Sequence, residues 1–251
     1  VIENSLDHEL KKNLEDKYSN VRVVIPDNNT GNGGGANIGL RLAQTKFVLY
    51  LDIDVELSQT AIEKLYSYAN KLNDFSILGP SIKGLTYKEN YFSKKNIYEK
   101  VHSMNFITGC ALFFNMTALK EIGFYDENIF LYYEENDLYL RSLKKNYKIY
   151  LIEDAQIKHT GNRSTDLIKK EEIEINRNWH LMWSTFYFHK KHYGLLTAYK
   201  KTFLKLLTSS LKYLVFSILR KDLNKKIYYA RMSGIYNAML GNNSWFRTNL
   251  D

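Results

Sequence analysis

The hydrophobic pattern switches repeatedly between short apolar runs and stripes at helical spacing, which is the signature of an α/β protein. Val1 to Glu3 reads as the end of a strand, residues 7–18 as a polar helix, and Val21 to Ile25 as a second strand stopped by Pro26. Phe47 to Leu57, FVLYLDIDVEL, reads as a buried strand whose apolar run breaks at Asp52-Ile53-Asp54. A helix over 58–72 has Thr60 and Glu63 at capping-box spacing and Ile62, Leu65, Tyr66 and Ala69 on one face. Phe75 to Ile82 is another strand, and residues 84–105, without periodicity, predict a surface loop. FITGCALFFN, residues 106–115, reads as a glycine-interrupted strand pair, followed by a short helix over 117–122 closed by Gly123. Leu138, Leu140 and Leu143 form the inward face of a helix after YYEEND, and Lys148 to Glu153 and Ala155 to His159 are the last strand segments.

Beyond residue 165 the pattern is helical throughout. Residues 165–193 predict a long helix with Trp179, Trp183, Phe186 and Tyr187 near one side. A second helix over 195–221 carries Phe203, Leu207, Leu211, Leu214 and Ile218 on one stripe and Lys201, Lys205 and Lys212 on the other side. Such a stripe suits either a helix lying on an anionic membrane surface or packing against the rest of the chain. No uncharged stretch approaches the roughly 20 residues a membrane span needs.

Charge sharpens this division. Residues 176–251 hold 13 Lys and Arg against 2 Asp and Glu, whereas residues 1–175 hold 22 against 25, so the net charge of +8 belongs to the C-terminal third. A basic segment suggests an anionic membrane or nucleic acid, and no nucleic-acid motif accompanies it, so nucleic acid is the lesser reading. A single Cys, Cys110, excludes an internal disulfide and fits a reducing, cytoplasmic compartment.

Two constellations carry chemistry. In an extended chain Asp52 and Asp54 share one face, so both can address one divalent cation, or a cation and a ribose, at the C-terminal end of a strand. A strand ending in solvent with two acids gives the same pattern. Glu134, Glu135 and Asp137 open a helix that ends in lysines, which complements the helix dipole. Asp137 and Arg141 form an i,i+4 pair, but adjacent carboxylates at Glu134 and Glu135 repel unless a cation or a shared proton relieves them. Gly31, Gly33, Gly34 and Gly35 predict a loop whose backbone can approach a ligand closely, ahead of a short helix over 36–44. Gly31-x-Gly33-x-x-Ala36 fits a dinucleotide fingerprint, but five residues separate it from the preceding strand, so a Rossmann dehydrogenase is disfavoured. His159 just before a polar loop is a structural residue or a ligand according to its partners.

Taken in order, NTGNGGGANIGL, LDIDVEL, FITGCALFFN, GFYDENIFLYYEENDLYLR and AQIKH resemble the family 2 glycosyltransferases of GT-A fold, and among them the rhamnosyltransferase-like members. The resemblance implies a Rossmann-like mixed sheet flanked by helices over residues 1–165, followed by a basic helical extension over 166–251. It implies that Asp54 binds a divalent metal, Mn²⁺ or Mg²⁺, with His159 completing the site, and that Asp52 lies by the ribose or the outer shell of the metal. Glu3 and Asn37 fall at positions that contact the nucleotide, and Glu135 falls at the catalytic base. The family commonly has Asp there, so the longer Glu135 leaves Glu134 to share the role. Ala36 stands where many relatives have Arg, Glu3 replaces the usual Asp, and the family begins one strand and one helix earlier, so the first strand is expected to be missing.

The implied activity is inverting, metal-dependent transfer of a sugar from a nucleotide-activated donor, dTDP-rhamnose among the candidates, to a glycan or lipid-linked acceptor. The implied location is the cytoplasm, peripherally on the inner face of the membrane. The alternative is a truncated or degenerate domain that binds nucleotide sugar or membrane without turnover.

Overall fold

The computed structural model describes residues 1–98, 100–160 and 170–247. The elements, in chain order, are α1 (His8–Lys17), α2 (Gly31–Leu42), β1 (Phe47–Leu51), β2 (Val55–Leu57), α3 (Gln59–Lys71), β3 (Phe75–Ile82), β4 (Phe92–Tyr98), β5 (Val101–Met104), β6 (Ala111–Asn115), α4 (Met116–Ile122), α5 (Glu134–Lys144), β7 (Lys148–His159), α6 (Lys170–Tyr193), α7 (Leu195–Ile218) and α8 (Asp222–Leu240). The chain divides into two compact units: residues 1–28, 35–125 and 135–164 form the first, and residues 29–34, 126–134 and 165–251 the second.

The first unit is built on a mixed sheet in the order β1-β6-β3-β7-β5-β4, with β2 paired to the far end of β7. β3 and β7 run parallel, and the other neighbours run antiparallel. β3 lies between β6 and β7 and is buried on both faces, so its continuous apolar run is what such a strand requires. Alternation along the strands feeds two cores. Ile77, Leu112, Phe114, Ile149 and Leu151 pack with α2, α4 and α5, while Leu78, Phe113, Tyr150 and Ile152 pack with Ala61, Leu65 and Ala69 of α3. Leu65 is 0% exposed, so Leu65→Ala costs on the order of 2–5 kcal/mol.

Several expectations are corrected. The Phe47–Leu57 strand is two strands interrupted by a turn, and β1, at the end of the strand order, is only partly buried. Val21 to Ile25 forms a single parallel bridge, Ile2 to Val24, in place of a strand. The cap of α3 is Ser58, whose Oγ accepts from the Ala61 amide at 3.2 Å, and Ile62 and Tyr66 point to solvent in place of Ala61 and Leu72. The 84–105 segment contains the β4–β5 hairpin, which lacked a period-two signal because β4 carries register shifts and polar residues. The glycine run is the first turn of α2 and not a loop: at Gly31, φ +77, a Cβ would strike the Phe130 carbonyl, and that close approach within the second unit requires glycine.

The second unit consists of α6, α7 and α8 with the short segments 29–34 and 126–134. Trp179, Trp183 and Phe186 of α6 form its core with Ala198 and Ala230. Gly234 of α8 lies so close to the Trp179 carbonyl that a Cβ would collide with it, which sets the α6–α8 approach. Asp126 accepts from Tyr187 Oη at 2.9 Å and from Lys191 Nζ at 2.7 Å. Burial alone would raise the Asp126 pKa, but Lys191 and Asn128 hold it below the ordinary value. The part of the expected 165–193 helix at 165–169 lies outside the described residues.

Candidate functional site

The end of β1 gathers the acidic cluster. Leu51 is the last residue in register with β6, opposite Ala111, and the Asp52 amide extends that ladder by donating to the Cys110 carbonyl at 2.8 Å. The chain then turns, with the Val55 amide donating to the Asp52 carbonyl at 3.2 Å, and Ile53 is pushed out to 91% exposure. Asp52 and Asp54 therefore converge through a turn rather than through strand alternation.

The β2–β7 ladder supplies the third member. Its register puts Val55 opposite His159, and the Thr160 amide donates to the Asp54 carbonyl at 3.0 Å. His159 Nε2 comes to 3.1 Å from Asp54 Oδ1. One ligand atom each from Asp52, Asp54 and His159 lies within 4.8 Å of the others. Adjacent ligands of an octahedral cation with bonds of about 2.1 Å lie about 3 Å apart, so the donor set fits a divalent metal. The Tyr50 hydroxyl donates to Asp52 Oδ1 at 2.6 Å and fixes that carboxylate. Burial raises the Asp52 pKa, the Tyr50 hydrogen bond opposes it, and the Asp54 charge adds to the rise.

Glu135 belongs to the same unit. A Cβ at Gly109 would fall into the Glu135 carboxyl group, so the residue before Cys110 must be glycine for Glu135 to lie there. Cys110 registers the crowding of carboxylates: burial pushes its thiol up to about 12, with Asp52, Asp54 and Glu135 all adding to the rise. Glu135 stands in the first turn of α5, where the helix dipole favours a carboxylate. Immediately before it Tyr132 and Tyr133 both adopt left-handed backbone, φ 65 and φ 71, a costly pair for non-glycine residues of the kind that collects at functional sites.

The remaining expected residues stand elsewhere. Glu134 lies in the second unit, 3% exposed, where Asn32 Nδ2 donates to its Oε1 at 3.0 Å. Asn37 is 0% exposed and clamps Tyr125 twice: its Nδ2 donates to the Tyr125 carbonyl and its Oδ1 accepts from the Tyr125 amide, each at 3.0 Å. Glu3 accepts from the Ser5 amide at 2.7 Å and from the Ser5 hydroxyl, ending the first segment. Asp137 is fully buried and paired to Arg141 at 2.8 Å, while Arg141 also donates to the carbonyls of Ile122, Gly123 and Phe124. Tyr50, Gly109 and Cys110 went unassigned in the sequence, although the glycine inside FITGCALFFN was a legible sign of close approach.

Residues 5–123 match the family model described as Glycosyl transferase family 2. The Low-salt glycan biosynthesis hexosyltransferase Agl10 of Haloferax volcanii is 24% identical over 169 residues, covering 59% of this chain and 54% of its own. The chain thus spans about half the length of that relative. Among solved structures, S. aureus TarS 1-349 in complex with UDP-GlcNAc aligns at TM-score 0.52 and 12% identity, over 100% of this chain and 84% of its own. The mannosyltransferase PcManGT from Pyrobaculum calidifontis, in complex with GDP-Man and Mn²⁺, aligns at TM-score 0.51 and 10% identity, over 96% and 77%. The fold is that of the GT-A glycosyltransferases, and the chain is similar to the family 2 glycosyltransferase model over residues 5–123 and to the hexosyltransferase Agl10.

Proposed function

We propose that the chain transfers a sugar from a nucleotide-diphosphate donor to an acceptor hydroxyl, with inversion at the anomeric carbon. The observation that carries the proposal is the convergence of Asp52, Asp54 and His159 in the unit where Glu135 is seated against Gly109. Asp54 and His159, with Asp52 beside them, would hold a divalent cation, and an imidazole in the donor set leans toward Mn²⁺ over Mg²⁺. Such a cation, when bound, supplies charge stabilisation to the departing diphosphate.

The residues of the chain account for the rest. Glu135 accepts the proton of the acceptor hydroxyl as its oxygen bonds to the anomeric carbon. The bond from that carbon to the diphosphate oxygen breaks, and its electron pair leaves with the nucleoside diphosphate. A positioned base contributes on the order of 10²–10⁴-fold. Tyr50 keeps Asp52 aimed while the site is partly buried. The donor is read as a class, with dTDP-rhamnose, UDP-GlcNAc and GDP-mannose as its test panel, and the acceptor as a glycan or a lipid-linked glycan. A single buried thiol, Cys110, accords with action in the cytoplasm.

The test is calorimetric titration of UDP, dTDP and GDP into the chain and into Asp54→Ala, with and without Mn²⁺. Binding that needs Mn²⁺ and disappears in Asp54→Ala is expected. A folded chain that binds none of the three would overturn the reading in favour of a domain without turnover.

A further inference from the structure

α7 is packed in an unusual sense. The face it buries is a narrow seam of small residues, Ala198, Thr202 and Ser209. These recur at steps of four and seven, so they lie along one line of the helix. The opposite line is its most apolar, and it points outward: Leu196 is 77% exposed, Phe203 62%, Leu211 55% and Ile218 81%, with Leu207 and Leu214 between them. A helix that only packs onto a bundle turns such a stripe inward. The sequence left core packing of this stripe open, and the described residues leave it uncovered.

The charge beside the stripe says what would cover it. Lys201 and Lys205, both exposed, lie on the polar side of α7 away from the stripe with Lys212, which reaches the Tyr228 hydroxyl at 3.2 Å, while the exposed Lys200 stands on the line of the stripe itself. Residues 195–240 contain nine Lys and Arg and one acid, Asp222. An apolar face of Leu, Phe and Ile on a helix whose polar side carries lysines matches a surface that is apolar inside and anionic at its boundary. None of the helices, searched over the described residues, is long and apolar enough to cross a membrane, so the mode is lying on the surface and not spanning it.

We propose that α7 docks this chain onto an anionic lipid surface, with the Leu196 to Ile218 stripe in the acyl boundary and the lysines at the headgroups. The proposal does not depend on the transfer reaction, and its readout involves no nucleotide. The full chain is sedimented with phosphatidylcholine vesicles containing about one third phosphatidylglycerol and with pure phosphatidylcholine vesicles, so that anionic charge carries part of the attraction. Binding to the anionic vesicles is expected to exceed binding to neutral ones by about tenfold or more and to weaken with added salt. Leu207→Glu with Leu211→Glu should abolish it. Lys201→Gln with Lys205→Gln should keep the fold and lower the anionic preference by about fivefold per lysine.

Three results would overturn the proposal. One is no sedimentation of a folded chain with anionic vesicles, and another is undiminished binding by the double-glutamate variant. The third is a dimer by light scattering that the same two glutamates dissociate, which would make a second copy the occupant of the stripe.

Discussion

His159 and Asp54, 105 positions apart in sequence, face each other at 3.1 Å because the three-residue strand β2 pairs with the last residues of β7. The pairing is reinforced by Lys158 on Glu56 at 3.1 Å and by Thr160, whose amide and hydroxyl both donate to the Asp54 carbonyl at 3.0 Å. The register of this short ladder therefore sets the separation of two candidate ligands, and a one-residue slip would turn His159 to the other face. Asp54→Ala is expected to remove Mn²⁺ binding, and His159→Ala to weaken it by about 10–100-fold while sparing the fold. Isothermal titration with Mn²⁺ alone distinguishes the two.

Gly109→Ala separates catalysis from stability. The added Cβ meets the end of the Glu135 side chain and no backbone atom, so a side-chain shift can relieve it and folding should change by about 1 kcal/mol. The same shift displaces the proposed base, and a displacement of about 1 Å is enough to cost on the order of 100-fold in rate. Thermal unfolding and donor turnover measured on the one variant check both halves. Equal loss of stability and turnover would mean that Gly109 serves only the fold.

Asn37 yields the reverse pattern. Asn37→Ala leaves the buried Tyr125 amide and carbonyl without their partner, at a cost of about 1–3 kcal/mol for each unsatisfied group. The expected result is a lower denaturant midpoint with unchanged nucleotide affinity in the folded fraction. A lost affinity with unchanged stability would place Asn37 in the nucleotide site.

Arg141 is predicted to matter more than an exposed helical i,i+4 pair suggests. Asp137 is fully buried, so Arg141→Ala removes its cationic partner and also takes a donor from the carbonyls of Ile122, Gly123 and Phe124. A destabilisation of about 3–5 kcal/mol is expected, against about 0.5 kcal/mol for a solvent-exposed pair. Urea titration of the variant decides between those magnitudes.

What was legible in the sequence follows from the range of each signal. Local signals carried far: helices α1, α3 and α4, strand β3 and the aromatic face of α6 were readable because caps and periodicity lie within a few residues. Asp52, Asp54 and His159 were legible as residue types, but their meeting depends on the β2–β7 register, which no window of neighbours contains. The glycine run misled because its freedom serves a packed helix start against Phe130 rather than a ligand loop. Polarity alone does not tell an amide clamp, as at Asn37, or a buried acid, as at Glu134, from a binding group, so the burial and partners of both were out of reach of the sequence. The outward stripe of α7 was visible as a stripe, and its exposure was not.

The last expectation concerns pH. His180 is 0% exposed, with the Phe130 ring tilted against it at 4.6 Å and Trp179 edge-on at 5.0 Å. Its Nε2 donates to the Phe246 carbonyl at 2.8 Å, so Nδ1 is left to accept from the Ser244 hydroxyl at 2.9 Å, and the neutral ring satisfies both partners. Burial pushes its pKa down from the ordinary 6.5 to about 4, with Phe246 opposing and Arg247 assisting. A histidine depressed on folding stabilises the native state fully above the unfolded value and loses that contribution as pH falls toward the folded value. Stability should therefore decline by up to about 3 kcal/mol between pH 6.5 and pH 4. Asp126, held below its ordinary 3.8, gives up its own contribution only as pH falls below that value, so the two groups act in separate windows. Urea unfolding at pH 7.5, 5.5 and 4.5 should show the decline in the native chain. His180→Gln should be less stable at pH 7.5 and lack the part of the slope above pH 4. An identical slope in that variant would assign the acid sensitivity to other groups.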